Sequence, residues 1–435
     1  MEWLSVASII FSLGLLIFLA LRGFSIIIIA PVASLVVILM NGMPILESLE
    51  ENYMSGFINF AKNNYLIFLF AAMFGKFMED SGAARTIAES LLRVIGKDSK
   101  FKVIISIVII SAVLTFGGIN VFVVVFAVMP IAKPLFKELD IPWHLFVGAF
   151  FFGIATFTMT MVPGTPSIQN IIPIKYLGTS VTAAPLLGIV GTVIVIILNV
   201  FYLRYALNKS EKNGETYENM KNPDGKDEQD QYKCRKLPPL LLSILPPAFL
   251  LISLNLFKME VVYTLMLSVI VSSLVFWKYI DNKLSTVNVG ATNTVLPIVN
   301  TSADVGYGTV IAATAGFGVL TEMMANIPGS PIISLYIATT VLAGITGSSS
   351  GGLGIAMETL IDTYLNLNID PEVIHRIATM ASGGFDALPH NGAVITVLAV
   401  VGLTHKDAYK HIFATSVIAP VLTAIPVILL AALLY

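Results

Sequence analysis

A chain of 435 residues that is 56% hydrophobic and only 12% charged, with a mean hydropathy of +0.86, carries more apolar surface than a soluble core of that size can hide. An integral membrane protein is expected, and a formal net charge of -2 offers no basic surface to nucleic acid or another polyanion. The single cysteine, Cys234, excludes an intramolecular disulfide framework.

A membrane span needs roughly 20 apolar residues at a rise of about 1.5 Å each. Residues 3–21 form the first such run; they follow Met-Glu-Trp, without a basic region or a small-residue cleavage site, so a retained span is expected rather than a signal peptide. Spans at 24–41 and 57–75 come next. "VIISIVIISAVLTFGGINVFVVVFAVMPIA", residues 103–132, is too long for one comfortable span and too short for two. Gly117 and Gly118 divide it into arms of about 14 residues, each reaching about 21 Å against a hydrocarbon core of about 30 Å, which predicts a re-entrant hairpin. A span at 143–162 meets proline at "MVPGTPSIQN" and resumes, making a broken helix over 143–175. After a span at 183–203, residues 206–236 are hydrophilic, nearly balanced in charge and rich in turn formers such as "NPDG", as expected of a solvated linker.

Spans at 237–256 and 260–278 open the second half, and 288–302 is the weakest of the set because "GATNTVLPIVNTS" is short and barely apolar. Residues 331–365 repeat the hairpin pattern, with Gly347, Gly351 and Gly352 around three serines. Residues 372–402 form a second broken helix, interrupted at "SGGFDALPHNGAV", and 411–434 is the last span. With the N-terminus outside, 21 of the 25 lysines and arginines fall on the inner side, leaving Lys62, Lys175, Lys258 and Arg376 outside. That count of ten spans puts both termini on the outer face.

A glycine hairpin, an acidic-proline helix start and a helix broken at proline occur as "GGIN", "LDIP", "MVPGTPSIQN" and again as "GSSSGG", "NIDP", "ALPHNGAV". Pro163 aligns with Pro389, and each half holds five full spans, so the second copy enters the membrane inverted. The expected architecture is all-α: two inverted repeats, 1–205 and 237–435, whose broken helices and hairpin tips meet at the membrane midplane. That is the plan of secondary transporters, not of an enzyme, and no cofactor or metal is expected.

Breaking a helix leaves N–H groups without partners at the start of the next half-helix, an anion site that needs no cation. The candidate substrate-binding residues are therefore Gly117, Gly118 and Asn120; Gly164, Thr165, Gln169 and Asn170; Ser348, Ser349, Ser350, Gly351 and Gly352; and His390 and Asn391. Ser167 adds a hydroxyl at the first break. Hydroxyls and amides suit a small polyhydroxylated solute; a packing seam of small residues is the plainer account of the serine run. Asp386 is the one acid that this topology places at a midplane helix break. A carboxylate there costs about 2.5 to 3.5 kcal/mol, which protonation removes, so Asp386 is the candidate proton carrier with His390 at i+4 as its partner. The alternatives are a carboxyl capping backbone N–H groups and a structural histidine. Glu358 and Asp362 are read as lining a vestibule, and Glu79 and Asp80 as solvated. An intramembrane protease would need a second acid for a dyad, and a cation/proton antiporter, the runner-up, would concentrate several acids at the crossing point.

"GGINVFVVVFAVMPIA", "PGTPSIQNIIPIKYLGT", "TGSSSGGLGIAMETL" and above all "HRIATMASGGFDALPHNGAVITVLAVVGLTH" resemble the gluconate permease (GntP) family of the ion transporter superfamily over nearly the whole chain. The resemblance implies proton-coupled symport of gluconate or a related hydroxy acid, such as 3-hydroxybutyrate, glycerate or D-serine, across a bacterial inner membrane. It also implies a homodimer in membrane lipid, with a mobile transport domain carrying both hairpins. The tips here read "GGIN" and "GSSSGG" where superfamily members often carry Ser-Asn-Thr.

Overall fold

The computed structural model describes residues 2–434 apart from 96–98, 117–120, 166, 218–236, 258, 326, 328–329 and 368. The described residues are helical, with no strand among them. In the first half these are α1 (Glu2–Leu21), α2 (Ile26–Met40), α3 (Ile45–Glu47), α4 (Met54–Asp80), α5 (Ala83–Ile95), α6 (Lys100–Phe116), α7 (Val121–Glu138), α8 (Leu145–Ile154), α9 (Ile168–Leu177) and α10 (Pro185–Lys212). The second half holds α11 (Leu240–Asn255), α12 (Val261–Phe276), α13 (Lys283–Thr292), α14 (Val295–Ala312), α15 (Ala315–Ala325), α16 (Pro331–Thr346), α17 (Ser349–Thr359), α18 (Ile361–Asn366), α19 (Pro371–Ser382), α20 (Gly392–Val401), α21 (His405–Phe413) and α22 (Ala419–Leu434).

Among the described residues, four helical runs are long and apolar enough to cross a membrane unaided: Glu2–Leu21, Ile45–Asp80, Pro185–Lys212 and His405–Leu434. A fifth is bent, Lys283–Ala312 turning by 80° into Ala315–Met324. Other apolar helices of 10–17 residues reach at most about 26 Å, short of a bilayer core. The run at Ile45–Asp80 extends the expected 57–75 span and contains a π-helical turn, Ser48–Tyr53.

The weakly apolar stretch at 288–302 is the middle of a longer helical unit, and the reason lies in what it faces. Thr301, Ser302, Ala303 and Asp304 of α14 are buried inside the protein, so hydropathy measured against lipid misjudges them. α14 packs on α2, α4 and α20.

The two halves of the sequence share their cores. One apolar cluster joins α4 to α8 with α12, α20 and α21; a second joins α10 with α16, α17, α19 and α22; a third joins α1 and α2 with α14. At one end, His144 Nδ1 lies 2.7 Å from His411 Nε2, while His144 Nε2 meets Glu215 Oε2 at 2.9 Å and Tyr202 OH meets His411 Nδ1 at 2.9 Å. This chain of side chains ties the start of α8 to α10, to the segment after it and to α21. Asp80 departs from the solvated expectation: it is buried, pairs with Lys76 at 3.0 Å and accepts a hydrogen bond from Thr286 Oγ1 at 2.7 Å.

Candidate functional site

The second hairpin folds back at Gly347, whose left-handed backbone (φ +60°) ends α16. Ser348 turns extended and caps α17, its hydroxyl accepting from Gly351 N–H at 3.1 Å. A methyl group on Gly352 would stand 2.3 Å from the Ala343 backbone, so only glycine lets the two arms close. Gly351 is exposed, and Ser348 and Ser350 are half-buried. The N–H groups of Ser349 and Ser350, in the first turn of α17, have no intrahelical acceptor. Ser349 Oγ donates to Ser382 Oγ at 3.0 Å, fastening the tip to the end of α19.

The second break lies directly beside that tip. Asn391 caps α20, its Oδ1 accepting from Ala393 and Val394 N–H at 2.7 and 3.0 Å, while its Nδ2 donates to Gly347 O at 2.7 Å. His390 Nε2 lies 2.9 Å from Gly344 O; a carbonyl only accepts, so Nε2 carries the proton, and Nδ1 has no partner among the described residues. Asp386 is buried within the break, its Oδ1 likewise unpartnered. Tyr409 OH donates to the neighbouring Ala387 O at 3.1 Å.

The first break reaches the same region through α19. Its Thr165 and Ser167 hydroxyls turn back to Thr158 O and Met159 O, at 2.7 and 2.6 Å, and so hold the interruption against the π-helical turn Phe157–Met161. Gly164 (φ +86°) donates to Val181 O. Asn170 Nδ2 donates to Thr165 O and Val181 O, and its Oδ1 accepts from His375 Nε2 at 3.1 Å. Thr379 Oγ1 donates to Gln169 O at 3.2 Å, and a methyl on Gly383 would lie 3.0 Å from Thr160 Cγ2. Thus one tip and both breaks adjoin. Gly117, Gly118 and Asn120, at the first tip, lie outside the described residues.

Two groups here escaped sequence reasoning. Arg376, expected on the outer side, is fully buried in α19 and donates to Ala183 O at 3.0 Å and Val181 O at 3.2 Å. Asp304 sits in α14, buried, against the tip and the second break, with no hydrogen-bond partner for Oδ1 among the described residues. The reading of Asp386 as the single acid at this depth took breaks as its guide, and Asp304 lies in an unbroken helix two residues beyond the assigned span. An acid within a run of Asn, Thr and Ser was the available signal.

Comparison with known proteins identifies the family. Residues 4–274 match the model of the GntP family permeases. The chain is 38% identical to the uncharacterized transporter YxjC of Bacillus subtilis (strain 168) over 455 aligned positions, covering 94% of this chain and 95% of that protein. The chain belongs to the GntP permease family.

Proposed function

We propose that this GntP-family membrane transporter carries gluconate or a related small hydroxy carboxylate by proton-coupled symport, as secondary active uptake across the cytoplasmic membrane. The observation that carries the reading is the hydrogen-bonded junction of one hairpin tip with two broken helices. First-turn N–H groups of α17 stand there beside half-buried serines, which suits a carboxylate carrying hydroxyls. Asp386 and His390 are the proposed proton-coupling pair, each holding one unpartnered atom in a buried setting.

Two inverted repeats, 1–205 and 237–435, are part of the proposal. Reciprocal packing supports them: α6 lies on α8 as α16 lies on α19, and α7 lies on α20 as α17 lies on α9. In this scheme both termini face outward, hairpins 103–132 and 331–365 enter from opposite sides, and the transporter works as a homodimer with a moving hairpin-bearing unit.

Purified protein in liposomes tests the reading. A panel of gluconate, 3-hydroxybutyrate, glycerate and D-serine is offered under an imposed pH gradient, and concentrative uptake of at least one is expected. Cation/proton antiport is the second reading, and it gains weight from Asp304, a buried acid in addition to the Asp386 that sequence placed at the breaks. Sodium-driven alkalinisation without any organic solute would establish antiport and end the symport reading.

A further inference from the structure

We propose that Asp304 is a second proton-binding carboxyl of this transporter, distinct from Asp386, and that its charge state controls movement of the hairpin tip against α14. The inference rests on the symport reading above and adds to it the place where a coupling proton binds.

Asp304 lies at the boundary between two apolar cores. Its helix is packed with α1, α2 and Ile345 near the end of α16, whereas the rest of α16 forms a second core with α17, α19 and α22. A methyl built on Gly347 would lie 3.5 Å from Asp304 Oδ2 and 3.3 Å from His390 Nε2, and one on Gly392 would lie 3.9 Å from Oδ2. The carboxyl therefore abuts both the tip and the start of α20. It is 5% exposed, and Asn300, one helical turn earlier, is 8% exposed. Neither Asp304 Oδ1 nor Asn300 Oδ1 has a hydrogen-bond donor among the described residues.

Unpartnered acceptors in a buried site call for a donor or a cation. A metal ion would need several ligating side chains, and among the described residues no group of three or more His, Cys, Asp or Glu could hold one. One proton meets the need, because a protonated carboxyl becomes a donor while keeping an acceptor. The titratable groups facing Asp304 are Tyr53 from the π-helical turn, Tyr307 from its own helix and His390 from the break. α2 and α20 carry no titratable side chain, and on α4 Lys62 is exposed while Lys76 pairs with Glu79 and Asp80. No fixed positive charge among these groups offsets the carboxylate. The neutral form can slide with the seam; the ionised form holds it until a proton arrives.

The full chain is tested in liposomes and by infrared spectroscopy. With gluconate as probe solute, wild-type exchange is expected to slow as pH rises, Asp304→Asn exchange to lose that pH dependence, and its gluconate level to fall to passive equilibration. An Asp304→Asn protein that concentrates gluconate and keeps the wild-type pH profile overturns the proposal. Infrared difference spectra need no substrate, so they separate this inference from the symport reading. Two buried carboxylic-acid carbonyl contributions are expected, and Asp304→Asn should lose one that Asp386→Asn retains; a spectrum with no component lost in Asp304→Asn overturns the assignment. If Asp304→Asn does not fold, Asp304→Glu must shift the band and the pH midpoint, and no shift is equally fatal. Accumulation that follows a sodium gradient alone, and is abolished in Asp304→Asn, would make the carboxyl a sodium ligand and the proton assignment wrong.

Discussion

Both ends of the Asn391 side chain are engaged. Its oxygen caps α20 and its nitrogen holds Gly347, so the side chain is committed to joining a break to a tip. Asp386 is different, with one oxygen unpartnered in the break. Asp386→Asn removes the exchangeable proton and nearly preserves shape, so pH-driven accumulation should vanish while solute exchange continues; concentrative uptake by this variant would show that the coupling proton rides elsewhere. Adjacent glycines at the tip should respond in opposite ways. Gly352→Ala collides with the Ala343 backbone and should lower the thermal unfolding midpoint, at a cost of about 1 to 3 kcal/mol or more from overpacking. Gly351→Val, exposed and with the atoms nearest its Cβ belonging to the Ser348 and Thr346 side chains, should leave that midpoint nearly unchanged and weaken solute binding. Equal affinity in both proteins would move the site away from this tip. Proline and Asn-Gly mark the interruption between α19 and α20, where few other residues tolerate such turns. Asp304 was not legible, since nothing in its local sequence says that the surrounding helix faces protein rather than lipid.

At the scale of elements, α16 and α17 turn about Gly347 and α19 and α20 are parted at 383–391, where glycine, proline and asparagine interrupt apolar sequence. Boundaries fared less well where polar residues are buried. The unit α13–α14 runs from Lys283 to Ala312, and its 80° turn into α15 follows Ala313 and Thr314, a place with no proline or glycine to mark it. π-helical turns at Ser48–Tyr53, Phe157–Met161 and Ala414–Ile418 were equally silent in sequence. They arise from side-chain packing and leave no periodic signature of their own.

Across the whole molecule, the halves hold together through contacts made far apart in sequence. Glu215 and His144 from the first half and His411 from the second form one chain of partners. Burial raises the Glu215 carboxyl, but hydrogen bonds from Ser210, Asn213 and His144 outweigh it and bring the pKa from 4.5 down to about 2. A lowered carboxyl pKa stabilises the fold fully above the unfolded value and loses that contribution as pH falls from about 4.5 toward 2. Acidification through that window should therefore expose the segment after α10 to limited proteolysis, and Glu215→Gln should show similar cleavage at pH 7. Protection that does not change with pH in the wild type would mean that this chain of partners contributes nothing. Sequence could not reveal the intertwining, because the linker at 206–236 reads the same whether it joins separate bodies or parts of one.

The frame of the junction closes largely on main-chain acceptors, among them Gly344 O, Gly347 O, Gln169 O and Met159 O. Peptide carbonyls are common to every residue type, so Gln169 and Met159 can change without losing these acceptors, whereas Gly344 and Gly347 are held to glycine by close packing and a left-handed backbone. Substituting Ser350, which is half-buried at the tip, should therefore leave this frame standing, because none of these carbonyls depends on its side chain.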